Sequence, residues 1–262
     1  MVRTAIQLYT LRGLEEPIWE TLSRVADTTF EGVELYDAHF DSFADESALE
    51  RTVDALVETD IVVAGAHVGV DRIEDEFDDI VSAFKSVDAS RVVVPSYDAS
   101  AFQSVAGIEA AADRLAEVAT KLDVHDLDLL YHNHTFEFDV VDGRVAFERF
   151  VDCADGRFGF EPDVGLAAHA GYEPIELLEI TAGNAPLVHL TDTVPGDESL
   201  LHADVGDGVV DVDACTSAAA SVGAEWFICE NGLTEEPLAS LERGSATFAD
   251  SRARAETVDD GC

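Results

Sequence analysis

Residues 108–133 read IEAAADRLAEVATKLDVHDLDLLYHN. Ile108, Ala111, Ala112, Leu115, Val118, Ala119 and Leu122 recur at helical spacing, and from Leu127 to Asn133 the chain becomes a short, apolar, β-rich run. A similar run, Arg91 to Pro95, precedes this helix. The unit is therefore strand, helix, strand. Outward from it the pattern repeats, with further strand candidates at Thr4 to Tyr9, Gly32 to Tyr36, Ile61 to His67, Phe158 to Asp163, Leu187 to Asp192 and Trp226 to Asn231. Eight βα units of roughly 30 residues with near-continuous apolar strands predict a parallel sheet closed as a (β/α)8 barrel. Residues 1–262 are expected to form that one domain. A doubly wound open sheet is the runner-up, but no G-x-G-x-x-G or Walker sequence follows any strand to favour it.

The chain carries 55 acidic against 15 basic residues, a net charge of −40, with a hydrophobic fraction of 47%. The acids are dispersed along helix-like segments such as Arg72-Ile73-Glu74-Asp75-Glu76-Phe77-Asp78-Asp79 and read as solvated faces. Self-repulsion at this charge opposes folding in dilute buffer, and molar salt relieves it. A halophilic protein is expected. The same surface disfavours a nucleic-acid partner, because phosphate binding rests on Lys and Arg. No apolar run suits a membrane span. The first strand pattern starts at the amino terminus, so no export signal is expected and the cytoplasm is the anticipated compartment. Cys153, Cys215, Cys229 and Cys262 lack C-x-x-C spacing and read as small hydrophobes.

In a barrel of this kind, chemistry gathers where strands end and βα loops begin. Those ends are rich in ionisable groups: Glu34 on the second strand, His67 on the third, His132, Asn133, His134 and Glu137 on or after the fifth, Glu161 and Asp163 on the sixth, His189 and Asp192 on the seventh, Glu230 on the eighth. Burying so many is costly unless they pair or share a cation. Imidazole and carboxylate donors suit one divalent metal ion, Zn, Mn, Co, Fe or Mg, without choosing among them. Asp163, His189 and Glu230 are the leading ligands. His132 and His134 face the same side of an extended strand and compete for a fourth place. Glu34 and Asn133 are expected at the substrate, and His67 as a contact or supporting group. His39, His125 and His202 read as solvated bystanders, His169 as a neighbour of the site, and Val205-Gly206-Asp207-Gly208 as a mobile turn near the mouth.

These residues resemble the xylose-isomerase-like barrels labelled sugar phosphate isomerases/epimerases, with inosose dehydratases among their relatives. The resemblance rests on Ile6-Gln7-Leu8-Tyr9-Thr10-Leu11-Arg12, Phe30-Glu31-Gly32-Val33-Glu34, Tyr131-His132-Asn133-His134-Thr135-Phe136-Glu137-Phe138, Val188-His189-Leu190-Thr191-Asp192 and Val205-Gly206-Asp207-Gly208. It implies one divalent cation held by Asp163, His189, Glu230 and a strand-five residue. There His132 stands where epimerases of the family place a Glu. It further implies proton abstraction next to a carbonyl of a sugar, keto-sugar or cyclitol through a metal-stabilised enediolate, with Glu230 as base and His134, Glu137 or His132 as partner acid. A dehydratase on the same scaffold is the alternative. An abasic-site endonuclease conflicts with the charge, and a non-catalytic sugar-binding relic conflicts with the ligand set.

Overall fold

The computed structural model describes residues 2–259. Eight parallel strands form the barrel: β1 Arg3–Gln7, β2 Gly32–Tyr36, β3 Val62–His67, β4 Arg91–Val94, β5 Asp128–His132, β6 Gly159–Glu161, β7 Leu187–His189 and β8 Trp226–Cys229. Neighbours in sequence pair side by side, and β1 pairs with β8. Between β6 and β7 the ladder thins to an Asp163–His189 bridge, with the His189 amide donating to the Pro162 carbonyl at 3.0 Å. The barrel is nearly closed, as the eightfold repeat predicts.

Two hydrophobic layers follow from the alternation of side chains along each strand. Ala5, Ala64, Val93, Leu130, Leu187, Trp226 and Ile228 fill the barrel axis. Their partners, among them Ile6, Val33, Leu35, Val92 and Val94, face the helices. Trp226 needs Gly32 opposite: a Cβ there would stand 2.7 Å from the indole ring. The helix Val105–Asp123 is capped by Ser104, whose hydroxyl accepts the Gly107 amide at 3.1 Å, and buries Ile108, Ala111, Ala112, Leu115, Val118 and Leu122.

Every expected strand is present, but most end earlier than the apolar pattern suggests. β1 stops at Gln7 because its side-chain oxygen accepts the Tyr9 amide and starts the 3-10 turn Leu8–Leu14. The seventh strand stops at His189 rather than Asp192, and the sixth at Glu161 rather than Asp163. Beyond the strands the side chains take other partners, Asp192 the amides of a loop and Asp163 the first turn of a helix. No helix among the described residues is long and apolar enough to cross a membrane. Cys215 and Cys229 are buried and Cys153 half-buried, all three as free thiols, while Cys262 lies outside the described residues.

Candidate active site

At the carboxyl ends of the strands, four buried carboxylates and three imidazoles meet. Their outer half is His132, Asp163, His189 and Glu230, with one donor atom from each within 4.8 Å of the others. Asp163 ends up there because the chain turns into the helix Val164–His169, which it caps: Oδ1 accepts the Leu166 amide at 2.7 Å and the Thr191 hydroxyl at 2.5 Å. That leaves Oδ2, buried and without a hydrogen-bond partner, 3.9 Å from His132 Nε2 and 3.8 Å from His189 Nδ1. His189 Nδ1 is likewise without a hydrogen bond, although Glu230 Oε2 lies 3.2 Å away. Buried donors and acceptors are normally satisfied. Two orphaned atoms, Asp163 Oδ2 and His189 Nδ1, in a donor set drawn from four strand ends are what a cation would satisfy, and two imidazoles with two carboxylates suit a divalent transition ion.

The inner half is Glu34, His67 and Glu161. Glu161 Oε2 lies 2.8 Å from His67 Nε2, 3.1 Å from His132 Nδ1 and 3.3 Å from His189 Nε2. Glu34 Oε2 accepts from Gln7 Nε2 and contacts His189 Nε2, each at 2.8 Å. Burial and the facing Glu161 push the Glu34 carboxyl up to about 7, against the pull of His67 and His189. For Glu161 burial is outweighed by the three imidazoles, which hold it well below the usual carboxylate range. His132 is driven down to about 3 by burial, so this imidazole is neutral. Burial also lowers His189, but Glu161 and Glu34 raise it well above an ordinary imidazole.

The structure brings His132, Asp163, His189 and Glu230 together, with Glu34 fully buried behind them and His67 reaching the cavity beside them. Glu137 does not join them. Its carboxylate turns back, accepting the Tyr131 hydroxyl at 2.6 Å and the His134 amide at 3.0 Å, so it braces the strand-five turn instead of lining the cavity above the cluster. Asn133 is also redirected: its carboxamide clamps the Asp163 backbone, accepting the amide at 3.0 Å and donating to the carbonyl at 3.2 Å. His134 borders the mouth, lowered to about 4 by burial.

Above the cluster opens a cavity of about 400 Å³ lined by Tyr9, Arg12, Tyr36, His134, His202 and Leu233, with His67, His132 and Glu230 at its floor. His202 is therefore no bystander. Nor is His39, whose Nδ1 accepts the Tyr36 amide at 3.2 Å. His125 is half-buried and packs on Phe77, while His169 contacts the Thr193 hydroxyl at 2.7 Å. Arg12 stacks over Tyr9 and donates to the Tyr9 and Gly232 carbonyls. A hollow of about 530 Å³ at the opposite end of the barrel holds no comparable cluster: its Arg91 and Arg157 pair with Glu225 and Asp113.

Two residues escaped the sequence reading. Glu161 was visible only as part of a polar strand end, yet it lies two positions before Asp163, on the same face. Gln7 was visible only within the opening strand, and its role depends on the turn that follows.

A (β/α)8 barrel with a metal-competent centre at the carboxyl ends of its strands is the class defined by these features. The chain belongs to the xylose isomerase-like TIM barrel family, whose model matches residues 22–248. No curated protein matches it in sequence. Among solved structures it is similar to a sugar phosphate isomerase/epimerase from Parabacteroides distasonis ATCC 8503, at 16% identity over 97% of this chain and 94% of that one, TM-score 0.77. It is also similar to the probable 3-DHS dehydratase AsbF of petrobactin synthesis from Bacillus anthracis, at 9% identity over 95% and 99%, TM-score 0.78. A third is the IOLI protein, solved with a bound zinc atom, at 13% identity over 97% and 99%, TM-score 0.76. At these identities the likeness is one of fold.

Proposed function

We propose that the protein is a divalent-metal-dependent isomerase or epimerase of an unphosphorylated sugar, keto-sugar or cyclitol, acting by proton abstraction next to a carbonyl. The observation that carries the reading is the orphaned Asp163 Oδ2 and His189 Nδ1 facing Glu230 beneath the cavity. His132, Asp163, His189 and Glu230 would hold the cation, which would supply a Lewis acid for a carbonyl oxygen. Glu230, at the cavity floor, is held in its charged form because His189 outweighs its burial. It takes the proton from the carbon α to the carbonyl. His134, kept neutral by burial, offers a hydrogen bond to the substrate oxygen, and the proton taken up by Glu230 is the one that Glu230 can return. Arg12 is the cation at the mouth and already serves two backbone carbonyls, which argues against a phosphate group on the substrate.

A dehydratase is the second reading, favoured by the Glu137 geometry. With its carboxylate turned onto Tyr131, Glu137 is not placed to act as the second base of a two-base epimerisation, whereas loss of a β-hydroxyl needs one base and one acid. We read either enzyme as a one-domain barrel of the cytoplasm, and the −40 charge supports salt-rich surroundings.

The test is solvent exchange. In deuterated buffer, with keto-sugars and inososes as candidates, deuterium should enter the α carbon of the true substrate. Glu230→Gln should slow this by about 10²- to 10⁴-fold at metal content matched to wild type. Exchange that persists in Glu230→Gln but disappears in His134→Ala would move the base to strand five.

A further inference from the structure

We infer that Glu34 and Glu161 are positioning residues that fix the ring tautomers of His189 and His132, so that each imidazole turns a lone pair outward to the metal. The inference rests on the metal reading above. Both rings face two ways. His132 places Nδ1 on Glu161 Oε2 at 3.1 Å and Nε2 toward Asp163; His189 places Nε2 on Glu34 Oε2 at 2.8 Å and Nδ1 toward Asp163 and Glu230. The inner nitrogens have hydrogen-bond geometry, whereas His189 Nδ1 and Asp163 Oδ2 have no such partner. A ring that binds a metal gives up the proton of the ligating nitrogen, so an inner N–H held on a carboxylate leaves the outer nitrogen as the ligand.

The orientation of Glu34 is itself determined by the chain. Gln7 Oε1 accepts the Tyr9 amide at 3.0 Å, which leaves its Nε2 to donate to Glu34 at 2.8 Å. The order of command runs from the first turn through Gln7 and Glu34 to His189. A second ion could instead occupy the inner set, since His67, His132, Glu161 and His189 also converge within 4.8 Å. It would have to share both rings with the outer ion as doubly deprotonated bridges, and the inner hydrogen bonds argue against that.

The experiment combines zinc titration, zinc content and 15N-detected tautomer assignment of the histidine rings. Wild type should bind one zinc per chain, with His132 as the Nδ1–H form and His189 as the Nε2–H form. Glu161→Gln, which removes one of the acceptors, should weaken zinc affinity about 10- to 100-fold and mix the His132 tautomers. Opposite tautomers in wild type, an unchanged affinity in Glu161→Gln, or two zinc ions of which that variant loses one would each overturn the inference. Should wild type bind no zinc, the functional reading fails, and the His132 tautomer in the metal-free protein still decides the Glu161 contact. If Glu161→Gln does not fold, the wild-type tautomers decide alone.

Discussion

His39 is tied to a proton-free state by one contact. Its Nδ1 accepts the Tyr36 amide that opens the helix Asp37–Phe43, and burial lowers the ring to about 3. The unfolded chain binds its proton near 6.5, so between these values the unfolded state holds more protons and folding weakens as pH falls. That contribution is fully present above 6.5 and is lost progressively toward 3. Urea midpoints of wild type should therefore drop on acidification more steeply than those of His39→Gln; parallel slopes would contradict the assignment. Other single residues differ in how readily the sequence exposes them. Asp163, His189 and Glu230 announce themselves as polar residues closing apolar strands. Glu161 shows the same signal, obscured by Asp163 two places on. Glu137 gives a misleading one, because the 3-10 turn Phe136–Phe138 points its carboxylate back at Tyr131.

Elements were legible through their periodicity, and their ends were not. Gly32–Tyr36 has the limits its pattern suggests, whereas the seventh strand gives way at His189 to a segment organised by Asp192. That carboxylate accepts the amides of Gly206 at 2.9 Å, Gly208 at 2.8 Å, Val210 at 3.0 Å and Thr193 at 2.8 Å. The turn expected to be mobile is thus tethered. Nothing in local spacing reveals this, because the anchor lies 14 to 18 residues away from the loop amides it holds. Asp192→Ala would leave several amides without an acceptor, at about 1–3 kcal/mol for each one that remains buried. We expect a lower melting temperature and new protease cleavage within residues 203–211. A variant that melts like wild type and resists cleavage would contradict the tether.

At the scale of the molecule, charge and chemistry make separate demands. Several of the few cations are committed to acids: Arg114 to Asp71 and Glu74, Arg72 to Asp41 and Glu76, Arg144 to Glu148 and Asp152. A large negative excess remains unscreened except by solvent ions. Folding should accordingly require salt near the molar range, where the screening length is about 3 Å. Circular dichroism during dialysis into dilute buffer checks this, and an unchanged cooperative fold would contradict it. The barrel was readable from the eightfold repeat, while the convergence of its polar ends needed the closed sheet to bring Glu34 beside His189, 155 residues on. That convergence is what a bound ion requires. Elemental analysis of protein purified in high salt is its most direct test. About one divalent ion per chain in wild type, absent from Asp163→Ala and His189→Ala proteins of native circular dichroism, is the predicted result; metal content unchanged by these substitutions would contradict it.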